Sequence, residues 1–195
     1  NSMEIVFATN NQNKVYEVQL LLPKNIKILS LKDIGCTVDI PETANILEGN
    51  AILKANYVTE HYGFDCFADD TGLLVDSLNG EPGVLSARYA GDHKNSEDNI
   101  SKLLKELSTK SNRKAHFETC IALNIDHRQL LFTGIAEGEI TLEKHGDSGF
   151  GYDPVFKPKG YQKTFAELPI KTKNKISHRG KAMQKLINYF KTLQK

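Results

Sequence analysis

Two adjacent carboxylates, Asp69 and Asp70, stand between the apolar run Phe64 to Ala68 and a second apolar run, Leu73-Leu74-Val75. Side chains alternate along a strand, so adjacent acids at a strand end face different ways unless the chain turns, and Thr71-Gly72 predicts that turn. Such a pair suits Mg²⁺, a hard cation that takes oxygen ligands and keeps waters, or a carboxylate base whose neighbour holds its pKa up. An Asx turn is the purely structural alternative. A second candidate is Thr9-Asn10-Asn11-Gln12-Asn13-Lys14, lying between an apolar strand and the start of a helical pattern. Free backbone N–H groups and the positive helix end there favour an anion, with Thr9 adding a hydroxyl and Lys14 a charge. It is not a P-loop, because it lacks the GxxxxGK[ST] spacing and contains no glycine, and simple capping explains an Asn-rich loop as readily.

Further along, Asn50 and Lys54 are four apart and share one helix face. Glu42, in the loop Pro41-Glu42-Thr43 before that helix, reads either as a surface acid or as a metal ligand. Gly149-Phe150-Gly151-Tyr152-Asp153-Pro154 offers two glycines that permit close backbone approach and two aromatics able to stack on a base. It fails as a dinucleotide fingerprint, since the third glycine is missing and no helix is expected after it. Lys173, His178 and Arg179 cluster before the last helical pattern, where histidine beside arginine suits a phosphate or a carbonyl oxygen, or forms an exposed cap. The six histidines show neither HxxxH nor HExxH spacing, which argues against a catalytic zinc site.

The elements that must position these residues follow from periodicity. Glu4 to Ala8 and Lys27 to Leu31 read as buried strands. Val15, Val18, Leu21 and Leu22 mark a helix stopped by Pro23, and Leu47, Ala51, Ala55, Val58 and Tyr62 mark another. Ser96 with Glu97 and Asp98 is expected to cap a helix carrying Ile100, Leu103, Leu104 and Leu107. Apolar residues at 115, 117, 121, 123 and 125, then Asp126-His127-Arg128 and the run Leu130 to Ile135, predict a hairpin and hence a mixed sheet. Ala182, Leu186, Tyr189, Phe190 and Leu193 form the apolar face of a closing helix.

With 195 residues, 39% hydrophobic and 25% charged, the chain has enough length for a sizeable core in one domain, either undivided or of two lobes. No apolar run approaches the roughly 18 residues of a membrane span, and Asn1-Ser2 ahead of Met3 reads as an expression scar, leaving 3–195 as the domain. Cys36, Cys66 and Cys120 are widely separated and odd in number, which argues against a disulfide framework and a zinc knuckle and fits a reducing cytoplasm. The net charge of +1 hides an asymmetry: from Lys157 onward there are ten Lys and one Arg against Glu167 alone. A basic end and an acidic centre suit a polyphosphate bridged by metal, although solvated lysines on a terminal helix, Lys181, Lys185 and Lys191 first among them, account for part of the count.

Taken together and in order, FATNNQNK from Phe7 to Lys14, PET, NAILKA, FADDTGLLVDSLNGEPGVLSARYAG from Phe67 to Gly91, GFGYDPVF from Gly149 to Phe156, TFAEL and KNKISHRGKA resemble the inosine/xanthosine triphosphate pyrophosphatase family, the Ham1-like family. The resemblance covers nearly the whole chain. It implies an α/β fold of the ITPase/Maf-Ham1 type, two-lobed, with a long central mixed β-sheet flanked by helices and an active site in the cleft between the lobes. It also implies a cytoplasmic homodimer and Mg²⁺-dependent hydrolysis of the deaminated purine nucleotides ITP, dITP and XTP to a monophosphate and pyrophosphate, which cleanses the nucleotide pool. Carried over by position, Asp70 looks like the general base and a metal-associated acid, with Asp69 beside it and Glu42 as the further acid near Mg²⁺. Thr9, Asn10, Asn11, Gln12, Asn13, Lys14 and Lys54 look like triphosphate contacts, and Thr71 a substrate contact. Phe150, Gly151, Tyr152, Asp153, Lys173, His178 and Arg179 look like the nucleobase and sugar-phosphate pocket.

Two departures stand out. Asn10 and Asn13 replace glycines usual in the first loop, and Asn tolerates left-handed backbone better than most residues. Gly49 replaces a glutamate commonly found before the Asn-Ala of the second helix, which throws weight onto Glu42 and the Asp pair. The competing reading is a nucleotide- or RNA-binding module that uses the basic C-terminal third without catalysis, but an anion binder has no use for an acidic cluster. A further alternative is a related pyrophosphatase acting on pyrimidine or modified nucleotides; the resemblance implies neither a nucleic-acid partner nor a membrane.

Overall fold

The computed structural model describes residues 2–193, so half of the Asn1-Ser2 expectation falls outside the described residues. Strands β1 (Met3–Phe7), β2 (Ile26–Leu29), β3 (Cys66–Val75), β4 (Pro82–Gly83), β5 (Lys114–Ile125), β6 (Arg128–Ile140) and β7 (Phe156–Pro158) form one sheet in the order β2-β1-β3-β5-β6-β7, with β4 also on β3. The first parallel pairs, β1 with β2 and with β3, are bridged by helices α1 (Gln12–Leu21) and α2 (Leu47–Tyr62), as parallel neighbours require. The pairs β3–β4 and β6–β7 are antiparallel, so the sheet is mixed as expected. Between β5 and β6 the two-residue turn Asp126-His127 has φ of 49° and 61°, the doubly left-handed backbone that matches strand twist in a hairpin.

Two compact units divide the chain: Asn1–Asp70, Thr119–Gly134 and Gly180–Lys195 make the first, Thr71–Glu118 and Ile135–Arg179 the second. In the first, one apolar cluster gathers Ile5, Phe7, Val18, Phe67, Ile121, Leu123, Leu186 and Phe190, with the Phe7 and Phe67 rings stacked 4.6 Å apart. Another gathers Val6, Ala8, Ala51, Ala55, Val58, Cys66 and Ala68, so successive residues of β1 and β3 feed different clusters, the pattern of a strand covered on both faces. The second unit has its own core, built around Leu73, Leu103, Phe117, Phe156 and Phe165, with helices α3 (Ser96–Glu106) and α4 (Ile170–Ile176). The closing helix α5 (His178–Leu193) buries Ala182, Leu186 and Phe190 of the expected face together with Met183 and Ile187, with Tyr189 packed against them, whereas Leu193 is exposed.

Four expectations change. The chain does not turn at Thr71-Gly72: β3 runs on to Val75, held extended by β1 at Cys66 and Phe67 and by β4 at Leu73 and Leu74. It also starts at Cys66, because Gly63 ends α2 in the left-handed conformation (φ 74°) and leaves Phe64 outside the sheet. The cap of α3 is Asn95, whose side chain accepts from the Asp98 N–H, and Ser96 is the first helical residue. Asn10 and Asn13 need no left-handed tolerance, since the positive-φ residues other than glycine among those described are Asn79, Lys94, Asp126 and His127. All three cysteines are buried and none is in a disulfide, and no described helix is long and apolar enough to cross a membrane.

Gly138 sets how closely β6 and β7 approach. A Cβ there would lie 2.3 Å from the Lys157 carbonyl oxygen and 3.0 Å from Pro158 Cα, backbone that cannot step aside. Gly138→Ala is expected to lose about 1–3 kcal/mol of stability in urea unfolding, the usual penalty for overpacking. An unchanged midpoint would show that the strands part freely.

Candidate active site

In the first unit the middle of β3 carries a knot of buried charge. Asp69 is 2% exposed and Asp70 6%, and along a strand their side chains leave on opposite faces, so each needs its own partner. Asp69 receives Lys14 Nζ at 3.0 Å, from the first turn of α1. Asp70 accepts from Asn50 Nδ2 at 3.2 Å and lies 3.9 Å from Lys54 Nζ, both on α2. The Lys54 ammonium also donates to the Asp69 carbonyl at 2.5 Å and stands 3.7 Å from Glu42 Oε1. Asn50 also bonds in a second direction. Its Oδ1 accepts from the Ala44 N–H at 2.8 Å, tying the Glu42 loop to the same helix turn. The loop comes in closely because of Gly49, where a Cβ would lie 2.6 Å from Ala44 Cβ.

Burial pushes the Asp70 carboxyl up to about 6; Lys54 pulls it down, Glu42 pushes it up again, and Lys14 and the Asn50 hydrogen bond pull it down. The first loop is largely engaged in capping α1. Asn11 Oδ1 accepts from the Asn13 and Lys14 N–H groups and Thr9 Oγ1 accepts from the Asn11 N–H, while Asn10, Gln12 and Asn13 are exposed. Lys14 is thus the member of that loop brought to the acids.

The second unit assembles the other set. Lys173 Nζ donates to Asp153 Oδ2 at 2.7 Å, and the same oxygen accepts from the Phe150 N–H at 3.1 Å. A side chain at Gly149 would meet that oxygen at 2.2 Å, so the glycine is what lets the loop wrap Asp153. The half-buried Phe150 ring has Lys173 Nζ 5.0 Å and the Arg179 guanidinium 5.4 Å from its centroid, and Arg179 Nη2 donates to Thr71 Oγ1 at 3.0 Å. His178 stacks on Phe117 at 4.4 Å. His178 and Arg179 are each 3% exposed, which rules out the exposed cap left open by their sequence. Tyr152 is buried with its hydroxyl donated to the Ser86 carbonyl at 2.6 Å, so its polar end is held by the backbone, with Gly151 (φ 61°) supplying the bend before it. Asn50 and Phe117 are the site residues to which the sequence assigns no role; the shared face of Asn50 and Lys54 is the available signal.

A family model described as the Ham1 family matches residues 5–189. The chain belongs to the Ham1 family. It is 64% identical to a dITP/XTP pyrophosphatase of Flavobacterium psychrophilum, over 97% of this chain and 100% of that one. Identity to the dITP/XTP pyrophosphatase of Porphyromonas gingivalis is 50%, over 95% and 96%. Among solved structures, Ham1 proteins of Coxiella burnetii and Staphylococcus aureus match with TM-scores of 0.89 and 0.88, each 39% identical and covering 97% of this chain and 99% of theirs.

The Ham1 chain offers a divalent ion a particular donor set. Among the described residues no group of three or more His, Cys, Asp or Glu is placed to hold a metal. Glu42 and Asp70 nevertheless converge on one cation, the Lys54 ammonium, and two carboxylates completed by water and phosphate oxygens fit Mg²⁺.

Because the folded Asp70 value lies above the ordinary 3.8, the native state holds this proton more tightly than the unfolded chain does. Its stabilising contribution is therefore complete below about pH 4 and is lost as pH rises through about 6. In EDTA, Asp70→Asn is expected to melt above the wild type at about pH 8 and to lose that advantage towards pH 4. A variant melting below the wild type at the higher pH would mean that pairing with Lys54 outweighs burial.

Proposed function

We propose that this protein is a nucleoside triphosphate pyrophosphatase that hydrolyses deaminated purine nucleotides, dITP, ITP and XTP, to the monophosphate and pyrophosphate. The observation that carries the reading is the buried Asp70 carboxyl, its proton affinity raised to about 6, set among Lys14, Lys54 and Glu42. A base poised near the operating pH holds little charge penalty and still accepts a proton. Asp70 orients and deprotonates a water for attack on the α-phosphorus, and the bond to the β-phosphate breaks. Lys14 and Lys54 gather the phosphate charge that makes this attack difficult, and bound Mg²⁺ supplies further positive charge to the phosphate oxygens. Asn10, Gln12 and Asn13, exposed beside Lys14, offer side-chain donors to the same phosphates, while Thr9 and Asn11 hold the loop in its capping geometry.

The second set reads the base. Phe150 offers a ring face for stacking, and Arg179, Lys173 and His178 supply donors for a 6-oxo group, with Thr71 and Asp153 holding the two cations in place. Adenine would present an amino group to those donors and leave them unpaired, at roughly 1–3 kcal/mol, or about 5- to 150-fold, per mismatch. A nucleic-acid-binding role suits the chain less well. Lys173 and Arg179, among the basic residues of the last third, are buried and paired rather than displayed for a phosphate backbone.

The test is pyrophosphate release from ITP, dITP, XTP, GTP and ATP, each with Mg²⁺ and with EDTA. Fast metal-dependent release from the first three alone is expected; release from none, or from all equally, would sink the reading. Asp70→Asn should lower turnover by about 10²–10⁴-fold with the fold kept. Arg179→Ala should narrow the ITP-to-ATP preference, and an unchanged ratio would place the base elsewhere.

A further inference from the structure

The two carboxylates best placed for a divalent ion already share a cation. Lys54 Nζ lies 3.7 Å from Glu42 Oε1 and 3.9 Å from Asp70 Oδ1, with the Asp69 carbonyl at 2.5 Å fixing its third direction. The lysine is 8% exposed, so solvent screens it poorly, and it emerges from the middle of α2, whose neighbouring turn is clasped to the Glu42 loop by Asn50. With no third acidic side chain placed to complete a metal site among the described residues, a divalent ion between Glu42 and Asp70 sits within a few ångströms of a like charge.

We propose that Lys54 is the resident counter-ion of the Glu42–Asp70 pair. It keeps the protein's affinity for free Mg²⁺ low and yields the two acids to the ion only when a triphosphate arrives to receive its ammonium. Metal and nucleotide then bind with positive coupling, and the coupling is reciprocal by linkage. The lysine thereby acts twice, first balancing the acids and then holding phosphate, through a side chain with four rotatable carbons that can swing between the two. The second half of this cycle rests on the nucleotide pyrophosphatase reading; the first half does not.

The test measures binding of Mn²⁺, a paramagnetic stand-in for Mg²⁺, by the loss of its free-ion signal in electron paramagnetic resonance. Without nucleotide, Lys54→Met and Lys54→Gln are expected to bind Mn²⁺ at least about tenfold more tightly than the wild type, while Lys54→Arg, which keeps the charge, stays weak. Gln keeps a donor for the Asp69 carbonyl, so it guards against a Met variant that misfolds. In the wild type, inosine triphosphate with a methylene-bridged α–β linkage should tighten Mn²⁺ by at least about tenfold, and the neutral variants should lose most of that gain. Neutral variants that fold by circular dichroism yet bind Mn²⁺ no better than the wild type would overturn the proposal. So would wild-type affinity indifferent to the analogue while pyrophosphate release from ITP is normal. Absence of pyrophosphate release from every nucleotide, with tight Mn²⁺ binding in the neutral variants, would instead remove the proposed function and leave the counter-ion role standing.

Discussion

Burial of charge in the middle of β3 is the constraint that the first unit is built to satisfy. Isolated ions taken out of water cost several kcal/mol each, and Asp69, Asp70 and Lys54 are all below 9% exposed, so every one must be met by a partner in good geometry. Asp69 fixes where α1 begins, because Lys14 has to leave its first turn within reach of the carboxylate. Asp70 fixes the rotation of α2, because Asn50 and Lys54, one turn apart, must both face the strand. The apolar clusters on β1 and β3 set the distance of those helices from the sheet; the ion pairs set their register. A cluster of this kind is weak evidence for stability and stronger evidence for chemistry, since apolar residues would fill the same volume at lower cost.

The second unit solves a related problem with a shared acceptor. Asp153 Oδ2 holds the Lys173 ammonium and the Phe150 N–H together, so the aromatic ring and the cation beneath it are set by one carboxylate. Thr71 does the same for Arg179, and it follows Asp70 directly in the strand. Donors fixed in this way lose little freedom on meeting a ligand, which is how a small number of hydrogen bonds gains discriminating power.

Strands β1 and β2, helices α1, α2 and α5 and the β5–β6 hairpin are legible in the sequence because their apolar periods are regular and their ends carry Pro23, Gly63 or a two-residue turn, whereas the short β4 and β7 leave no such period. Thr71-Gly72 misleads because threonine and glycine are turn residues locally, whereas β1 and β4 pull this stretch into a ten-residue strand through contacts remote in sequence. Helix α4 leaves no comparable trace: at seven residues, Ile170–Ile176, it is too short to show a period. At the site, residue types and order point to Asp70, Lys54 and Arg179, but not to their pairings. Nothing local says that Lys14 meets Asp69, 55 positions away, or that Arg179 meets Thr71 at 108. Those depend on which strand lies beside which, information carried by the sheet as a whole.

Gly49 shows how closely the Glu42 loop can lie on α2. An acidic side chain at this position of α2 would project from the turn that Ala44 packs against, and with Ala44 Cβ only 2.6 Å from where a Cβ would begin, the loop could not stay. Glycine lets the Ala44 N–H reach Asn50, which draws the Glu42 loop onto the helix. Glu42 then stands 3.7 Å from Lys54. The loop thereby adds the Glu42 carboxylate to that of Asp70 on the Lys54 ammonium.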